Sequence, residues 1–402
     1  MTAPRPLTIM LCAGEPSGDA LGGALMAELR KLRPGVRLIG VGGPAMRAQG
    51  LVSFFDIAEI AVMGIREVLP KARLLFRRMD QVADFAVRTK PDVVVLIDSG
   101  DFNHRVARRI RARDPALKIV KYVSPQVWAS RPGRAAKMKD FLDRVLCLLP
   151  FEPPFYETYG LPATFVGHPA VERAARMTGG AALRARLGIA PDAKLLCLLP
   201  GSRRVEVTNL LPVFRDAIAA VAPSVPGLRV VLPTVPLVEP LVRAGLAGFP
   251  VPVDLLTTEA DRYAAFDAAD AALAASGTVT TELAVAGVPM VVAYKVGWLT
   301  AAIWTRLVTV EHITIANLVL GRRAIPEFVQ NAATPQALAA ALRPLLTDPA
   351  AIEAQKTALA EAVHKLGPGD TSASHRAAKA VLETADAGPG HEPGAPSQPS
   401  LG

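Results

Sequence analysis

The chain has 402 residues, of which 51% are hydrophobic and 20% charged, so it is long enough for two or three domains and most of it is not disordered. Three cysteines exclude a disulfide scaffold, and the lack of a C-x-x-C pair argues against a structural zinc site. No 18-residue apolar stretch is free of charges and breakers, which excludes a spanning helix. The net charge of +9 arises entirely in residues 1–170, with 25 Lys and Arg against 16 Asp and Glu, which indicates an anionic partner: nucleic acid, acidic lipid or a phosphorylated substrate.

The first half of the chain alternates apolar runs with helical patterns. Continuous Val/Ile/Leu runs without polar alternation are typical of strands buried on both faces of a parallel sheet. They predict strands at residues 7–13, 37–41, 93–98, 118–124, 144–149 and 164–166, and helices at residues 22–33 and 82–89. Because Glu15 and Asp19 follow the first run at once, we interpret it as a strand and a mature cytoplasmic start, not as a signal peptide.

The second half repeats this plan. Strands are predicted at residues 194–199, 229–232, 253–256, 271–275 and 290–293, with helices at 210–221, 261–269 and 279–286. The fold class is therefore α/β, with two Rossmann-like doubly wound domains facing a central cleft. The predicted divisions are a first Rossmann-like domain (1–170), a second Rossmann-like domain (171–335), closing helices (336–386) and a disordered tail rich in Gly, Pro and Ser (387–402).

A glycine-rich loop follows the first strand and opens a helix. Such a loop offers free backbone N–H groups and the positive end of a helix dipole. The loop, which holds Glu15, Ser17 and Gly18, matches neither a Walker A motif nor G-x-G-x-x-G. The alternative interpretation is a tight turn in which Ser17 or Asp19 caps the helix.

Asp98 ends the third strong apolar run, at residues 93–98. A carboxylate at the carboxyl end of a buried strand faces the ligand crevice of this fold class and can act as a general base. The alternative is that Asp98 only accepts hydrogen bonds from the turn. Asp101 and Asn103 are interpreted as caps of the next helix.

A basic segment follows the run that ends in the sequence Y-V-S-P-Q-V-W at 122–128. Arg131, Arg134, Lys137 and Lys139 come in close succession. They form either a basic face near the mouth of the cleft or an ordinary solvated helix face.

Two loops of the second half carry features that suit a phosphate. Gly201, Ser202 and Arg203 follow a strand, and arginine binds phosphate oxygens bidentately; the alternative is a pair of surface arginines. The sequence Ser-Gly-Thr at 276–278 leads directly into a helix whose first N–H groups suit an anion. Glu282 then either accepts from a ribose diol or complements the helix dipole. These loops predict a nucleotide diphosphate on the second domain and an acceptor on the first.

The ordered set of motifs resembles the lipid-A-disaccharide synthase family, whose members are GT-B glycosyltransferases. The matching motifs span residues 7 to 330 or so and are G-E-P-S-G-D at 14–19, A-V-M-G at 61–64, I-D-S-G-D-F-N at 97–103, Y-V-S-P-Q-V-W at 122–128, L-P-F-E at 149–152, G-H-P at 167–169, L-P-G-S-R at 199–203, and S-G-T at 276–278 with Glu282. One departure is Ser130, where the family often has a second tryptophan.

The resemblance implies an inverting reaction of lipid A biosynthesis. UDP-2,3-diacylglucosamine would be the donor and 2,3-diacylglucosamine 1-phosphate (lipid X) the acceptor. The products would be the β-1,6-linked disaccharide 1-phosphate and UDP. It implies no metal ion and no cofactor, because helix ends and arginines can stabilise the leaving diphosphate.

The same resemblance assigns roles to residues. Asp98 looks like the base for the acceptor 6-hydroxyl, and Arg203 looks like the diphosphate clamp. The remaining donor-side positions are Gly201, Ser202, Ser276, Gly277, Thr278, Glu282 and Asn317, the last resembling a cleft asparagine of the family. The acceptor-side positions are Glu15, Ser17 and Gly18.

Both implied substrates carry acyl chains, so a cytoplasmic enzyme at the surface of the inner membrane is expected. Residues 65–80 form a basic amphipathic stretch that suits anionic lipid, although an ordinary helix packed on the sheet has the same pattern. Its side chains are Arg66, Lys71, Arg73, Arg77 and Arg78 among Val68, Leu69, Leu74, Leu75, Phe76 and Met79. An apolar segment at 298–304 is a second candidate.

Two other classes of function stay open at this stage. One is another UDP-sugar enzyme of the same fold, such as a UDP-N-acetylglucosamine 2-epimerase. The other is a non-catalytic protein that binds anionic lipid or nucleic acid. The 5% aromatic content and the lack of any RNP, zinc-finger or helix-turn-helix signature argue against nucleic acid. Oligomeric state and acyl-chain preference are not evident from the sequence.

Overall fold

The computed structural model describes residues 6–60, 65–130, 132–295, 311–367 and 371–387. The described chain forms two α/β units. The first contains the residues up to 169 together with the C-terminal helix beyond residue 370, and the second contains residues 170–367.

The first unit is built on a six-stranded parallel sheet with the order β2-β1-β3-β4-β5-β6. Its strands are β1 (Thr8–Ala13), β2 (Arg37–Val41), β3 (Val93–Ile97), β4 (Ile119–Tyr122), β5 (Arg144–Cys147) and β6 (Ala163–Phe165). Its first helices are α1 (Pro16–Leu32), α2 (Pro44–Ala48), α3 (Ile65–Thr89), α4 (Gly100–Arg113), α5 (Val127–Ser130) and α6 (Glu152–Glu157), with 3-10 turns at Ile57–Glu59 and Pro132–Lys137.

The second unit has its own parallel sheet, with the order β12-β11-β10-β7-β8-β9. The strands are β7 (Leu195–Leu199), β8 (Arg229–Pro233), β9 (Val253–Leu256), β10 (Ala271–Ala275), β11 (Met290–Tyr294) and β12 (Glu327–Val329). The helices are α7 (Gly180–Arg186), α8 (Arg204–Val221), α9 (Glu239–Gly245), α10 (Glu259–Ala268), α11 (Thr278–Val285), α12 (Ile315–Leu320), α13 (Pro335–Leu342), α14 (Pro344–Thr347) and α15 (Pro349–Leu366), with 3-10 turns at Val171–Arg176, Ala222–Ser224 and Gln330–Ala332.

The central strands explain why the chain adopts this architecture. Every residue of β1, β3, β7 and β10 is buried, as expected for strands covered by helices on both faces. The helices bury one side: in α3, Leu75, Met79, Val82 and Ala86 recur at spacings of three and four and all are buried. The predicted α/β class, with two Rossmann-like parallel sheets, is confirmed.

Each sheet has one point where its strand order reverses. In the first unit this point lies between β1 and β3, where Ala13 is level with Ile97. In the second it lies between β7 and β10, where Leu199 is level with Ala274. Ligands of doubly wound sheets bind beyond the carboxyl ends of the strands at such points. The loops after these four strands are therefore where a site is expected.

The last described helix, α16 (Ala373–Asp386), belongs to the first unit. It packs on α1 and buries Ala377, Val381 and Leu382 in the first core. Arg144 Nη1 donates to the Ala380 carbonyl over 3.1 Å. The segment 336–386, expected as one block of closing helices, is thus divided: α13 to α15 lie in the second unit and α16 lies in the first.

Predicted and observed strands agree closely in position, and the ranges at 37–41, 253–256 and 271–275 are identical. The sequence analysis did not identify β12, because this strand has three residues and begins with a glutamate, Glu327. Predicted helices begin too late, since the pattern at 82–89 is only the end of the 25-residue helix α3.

Candidate functional site

In the first unit, Asp98 lies directly after β3, at the strand-order reversal. Asp98 and Ser99 have φ angles of +53° and +43°, in the left-handed region that non-glycine residues rarely adopt. This turn holds the carboxylate in place: Ser17 Oγ donates to Oδ2 over 2.7 Å, and the Ser99 N–H donates to Oδ1 over 2.8 Å. Strain of this kind is concentrated at functional sites.

Two glycines bring the loop after β1 against this turn. A Cβ on Gly14 would lie 2.4 Å from Ser99 Cβ, and a Cβ on Gly18 would lie 3.2 Å from Asp98 Cβ. The glycines therefore allow the backbone of the loop after β1 to lie close to the turn at Asp98 and Ser99. Together, the loops at 14–18 and 98–100 form what we call the first-unit crevice, which unites the predicted Glu15, Ser17, Gly18 and Asp98.

A buried lysine lies beneath the first-unit crevice. Lys121, in β4, is 1% exposed, and its Nζ donates to the carbonyls of Asp98 (2.6 Å) and Tyr122 (3.1 Å). Burial lowers the pKa of Lys121 to about 8, against the opposing effect of the Asp98, Cys12 and Glu15 charges. The pKa of Glu15 is raised by burial and by the Asp98 charge, while Lys121 opposes the rise.

The caps considered for α1 (Ser17 or Asp19) and expected for α4 (Asp101 and Asn103) do not form, and the N-cap of α4 is Ser99, without a side-chain hydrogen bond. The N-cap of α1 is Glu15, without a side-chain hydrogen bond; Ser17 instead bonds Asp98, and Asp19 accepts from the N–H groups at the start of α2. Asn103 donates through Nδ2 to the carbonyls of Ile97 and Asp98 at 2.9 Å. These side chains join neighbouring loops, which local sequence cannot reveal.

The loop after β4 is fixed by a buried carboxylate that sequence analysis did not single out. Glu152 is 2% exposed and accepts from Ser124 Oγ, from Trp128 Nε1 (3.0 Å) and from the Leu149 N–H (3.0 Å). Burial raises the pKa of Glu152, and these hydrogen bonds oppose the rise. Glu152 therefore links the Y-V-S-P-Q-V-W and L-P-F-E motifs physically.

In the second unit, the loops after β7, β8 and β10 surround a cavity of about 380 Å³, here called the second-unit cavity. It collects most of the predicted donor-side residues: Gly201, Ser202, Arg203, Ser276, Gly277, Thr278 and Glu282. Three residues that sequence analysis passed over also line it: Arg173, Glu206 and Arg262.

Glu206 organises the first of these loops. Its Oε2 accepts from the N–H groups of Ser202 (3.0 Å) and Arg203 (3.2 Å), and its Oε1 is 3.1 Å from Arg203 Nη1. Gly201 has φ +117°, and a Cβ there would lie 2.5 Å from Glu206 Cβ, so the turn requires glycine. Arg203 remains 63% exposed, with its guanidinium held at the cavity.

Glu282 lies within α11 and is 3% exposed. Its Oε1 is 2.8 Å from Arg173 Nη1 and 3.9 Å from Arg262 Nη2. Arg173 lies in a 3-10 turn and Arg262 lies in α10, about 109 and 20 residues from Glu282 in sequence. Sequence spacing therefore does not indicate that these arginines contact Glu282. Ser276 Oγ donates to the Ile313 carbonyl over 3.3 Å.

Asn317 does not line the second-unit cavity. It is fully buried in α12; Nδ2 donates to the Ile325 carbonyl, and Oδ1 accepts from the N–H groups of Ala324 and Ile325, all at 2.9 Å. Its amide thus fixes the turn between α12 and β12.

The stretch at 65–80, expected to face a membrane, contains both buried and exposed apolar side chains. Leu75 and Met79 are buried, whereas Phe76 is 46% exposed. The side chains at 65–69 and the segment 298–304 lie outside the described residues. Within the ranges that the structure describes, no helix is both long and apolar enough to cross a membrane.

Comparison with solved structures identifies the fold. The chain matches the UDP-GlcNAc 2-epimerase of Neisseria meningitidis bound to UDP-GlcNAc with a TM-score of 0.61 and 12% identity, over 94% of this chain and 98% of that one. It matches MurG of Acinetobacter baumannii with a TM-score of 0.59 and 14% identity, over 94% and 100%. Such low identities establish the fold alone, which is the two-sheet GT-B architecture.

Sequence comparison identifies the family. A family model described as lipid-A-disaccharide synthetase matches residues 9–381. The lipid-A-disaccharide synthase of Rhodospirillum centenum is 48% identical over 94% of both chains, and that of Ruegeria pomeroyi is 49% identical over 95% of this chain and 96% of the relative. The chain belongs to the lipid-A-disaccharide synthase family and is a glycosyltransferase, which confirms the resemblance.

Proposed function

We propose that this chain transfers 2,3-diacylglucosamine from UDP to the 6-hydroxyl of 2,3-diacylglucosamine 1-phosphate. The relatives named as lipid-A-disaccharide synthases, which match over nearly the whole chain, carry this proposal. The geometry supports it: a fixed carboxylate stands at one strand-order reversal, and a cavity with arginines stands at the other.

Donor binding is assigned to the second-unit cavity. The diphosphate accepts hydrogen bonds from the backbone at Ser276, Gly277 and Thr278, where α11 begins, and from the Arg203 guanidinium. Glu206 keeps the Gly201–Ser202 turn closed, so that Arg203 is presented from a fixed backbone. As the anomeric C–O bond to UDP breaks, these donors stabilise the negative charge that develops on the diphosphate.

Glu282 is assigned to the nucleoside. Acidic residues at the corresponding end of nucleotide folds accept from ribose hydroxyls. The arginines at 2.8 and 3.9 Å orient the buried carboxylate. Asn317 is proposed to act through its neighbours as a positioning residue, because it stabilises the segment that begins at Ile313, the partner of Ser276.

Proton abstraction is assigned to Asp98. One carboxylate oxygen of Asp98 takes the proton of the acceptor 6-hydroxyl while the hydroxyl oxygen forms the new bond to the anomeric carbon, with inversion and departure of UDP. Ser17 and the Ser99 N–H hold the carboxylate in a single orientation, and Lys121 beneath it adds a positive charge. Glu15 is placed on the acceptor side of the same crevice.

We place the enzyme at the cytoplasmic surface of the inner membrane. Exposed Phe76 and the neighbouring Arg77 on α3 provide apolar and cationic contacts of the kind that attract anionic bilayers. Sedimentation with phosphatidylglycerol vesicles tests this placement. Binding that weakens with salt and in a Phe76→Ser/Arg77→Gln variant is expected; no binding would contradict it.

A turnover assay in detergent micelles tests the activity, following UDP and disaccharide. The parent is expected to form disaccharide from the two proposed substrates. Asp98→Asn keeps the side-chain shape but cannot take the proton, so kcat should fall about 10²- to 10⁴-fold. Asp140→Asn, an exposed site with the same chemical change, is the matched control and should retain activity.

One result would contradict this function, and another would contradict the assigned base. If the parent formed no disaccharide but consumed UDP-N-acetylglucosamine, the fold would stand and the activity would resemble that of the epimerases. If disaccharide formation survived in Asp98→Asn, the transfer would stand and the base would lie elsewhere.

A further inference from the structure

The first unit contains a second hollow, of about 680 Å³, which the reaction as described does not use. It lies between the start of α4, the loop after β4 and the 3-10 turn Pro132–Lys137. Its lining includes four cations, Arg105, Arg108, Arg134 and Lys137, and the rings of His104 and Phe141. We call it the basic cavity.

The cations of the basic cavity lack acidic partners. Within the part of the chain that the structure describes, no carboxylate lies within ion-pair distance of Arg105, Arg108, Arg134 or Lys137. The single acid in the lining is Asp101, which is exposed.

Other arginines of the same helix are paired. On α4, Arg109 and Arg113 bind Asp80 at 3.0 and 2.7 Å, and Arg111 binds Asp143 at 2.6 Å. Arg105 and Arg108 are the helix arginines that line the cavity. Charge is thus neutralised away from the cavity and left uncompensated around it, which favours a multiply charged anion there.

The interior of the basic cavity is neutral and partly aromatic. The pKa of His104 is lowered to about 3 by burial and by the charges of Lys121, Arg108 and Arg134, so the imidazole is neutral at physiological pH. Its Nε2 has no hydrogen-bond partner among the described residues. The Phe141 ring contacts His104 edge-on at 5.6 Å and lies 4.8 Å beneath the Arg108 guanidinium. An anion attached to a larger, less polar group fits this combination.

The basic cavity lies at the same sheet edge as Asp98. Gly100 and Asp101 start the helix that follows Asp98 directly, and Pro125 and Val127 lie in the loop after β4, the strand paired with β3. A molecule held in the cavity therefore lies on the side of the first unit where the proposed base stands.

We propose that the basic cavity binds the phosphate monoester of the glycosyl acceptor. This inference rests on the proposed function and adds a specificity site to it. A phosphate monoester offers three oxygens and up to two charges, and arginines bind such oxygens bidentately. A phosphate of a membrane lipid has similar chemistry, so the experiment must distinguish the two sources.

Paired acceptors provide the first test. Arg105→Gln and Arg134→Gln are assayed with 2,3-diacylglucosamine 1-phosphate and with the same sugar lacking the phosphate. Each substitution should lower kcat/KM about tenfold for the phosphorylated acceptor. The kcat/KM for the acceptor that lacks the phosphate should stay unchanged. Arg113→Gln removes a charge from the same helix outside the cavity and should preserve the parent's preference. Equal losses for both acceptors, or no loss, would overturn the proposal.

A binding measurement separates this site from the reaction. Met138 lines the cavity, and its labelled methyl signal, assigned with Met138→Leu, can be followed while glucosamine 1-phosphate is added. A saturable shift is expected, absent with glucosamine and weakened in Arg105→Gln. If the parent makes no disaccharide, this shift still supports the phosphate site while the proposed function fails. The lack of a shift would overturn the site.

Vesicle binding distinguishes the source of the phosphate. The two arginine variants and the parent are sedimented with vesicles containing phosphatidylglycerol. Unchanged binding is expected, because the acceptor phosphate is the proposed occupant. A loss of vesicle binding together with a preserved preference for the phosphorylated acceptor would assign the cavity to lipid headgroups and overturn the proposal.

Discussion

The two strand-order reversals of this protein carry opposite arrangements of charge. In the first unit, half-buried carboxylates, Asp98 and Glu15, stand above a lysine that is 1% exposed. In the second, Arg203 is 63% exposed while the Glu282 side chain beneath the cavity arginines is 4% exposed. One crevice presents a base over a buried cation, and the other presents cations over a buried acid.

This inversion shows how one architecture serves two chemical tasks. A half-buried carboxylate can take a proton from a bound hydroxyl, and the buried lysine beneath it supplies a nearby opposite charge. Exposed guanidinium groups suit a diphosphate, and buried carboxylates fix their direction. In both units the site lies in loops at a strand-order reversal. The two sites differ in whether the buried charge is positive or negative.

Filling the space at Gly14 should have the largest effect on the first-unit crevice. In Gly14→Ala the new Cβ would lie 2.4 Å from Ser99 Cβ, about 1 Å short of an ordinary contact, so the loops must separate. A misplacement of that size costs about 10²-fold in kcat. The turnover assay measures it, with UDP binding as the unaffected readout of the second unit.

The double variant Gly14→Ala/Ser99→Gly controls for a general loss of folding. Removing the Ser99 side chain recreates the space, and glycine accepts the +43° φ of that position without strain. Activity should return largely to the parent level. If the double variant were as inactive as Gly14→Ala, the close approach would not be the cause.

Removing Arg203 should weaken the second-unit cavity by a smaller amount. Arg203→Ala removes charge-assisted hydrogen bonds to the diphosphate, and UDP affinity measured by calorimetry should fall about tenfold. Arg204→Ala, the next residue and an exposed arginine outside the cavity lining, should bind UDP like the parent. Similar losses in both would show that overall charge, not the position of Arg203, determines binding.

The buried lysine of the first unit should affect stability rather than catalysis. The pKa of Lys121 in the folded protein is about 8, below its ordinary 10.5, so between pH 8 and 10.5 the unfolded chain binds more protons. Because of this group, the free energy of unfolding should increase as pH rises, by at most about 1.4 kcal/mol per pH unit. Lys121→Met should lack this gain in urea titrations at pH 8 and 10. Parallel changes in both proteins would show that Lys121 keeps an ordinary pKa.

Local sequence was sufficient where one strand or loop carries the information. Continuous apolar runs located the central strands, and a polar residue at a strand end located Asp98 and Arg203. Strand order was not predictable, because it depends on which buried strands pair, and the runs are chemically alike. The apolar pattern places Lys121 within the strand at 118–124, and only the structure shows that its Nζ contacts the Asp98 carbonyl.

The partners of the predicted residues depend on contacts distant in sequence. Arg173 meets Glu282 across 109 positions, and Ser17 meets Asp98 across 81. Fold comparison could not supply the activity either, because epimerases and transferases share the architecture at similar TM-scores. The family was distinguishable because its motifs occur together and in order, which similarity of fold does not require.

The return of α16 to the first unit has a consequence for how the protein is made. The N-terminal sheet emerges from the ribosome long before residues 373–386, which cover part of its core and bind Arg33 and Arg144. Until they are synthesised, the nascent first unit exposes the apolar surface that Val381 and Leu382 later bury. The second unit is contiguous in sequence and can close its own core earlier, so the first unit should complete its core only after the second unit has been synthesised.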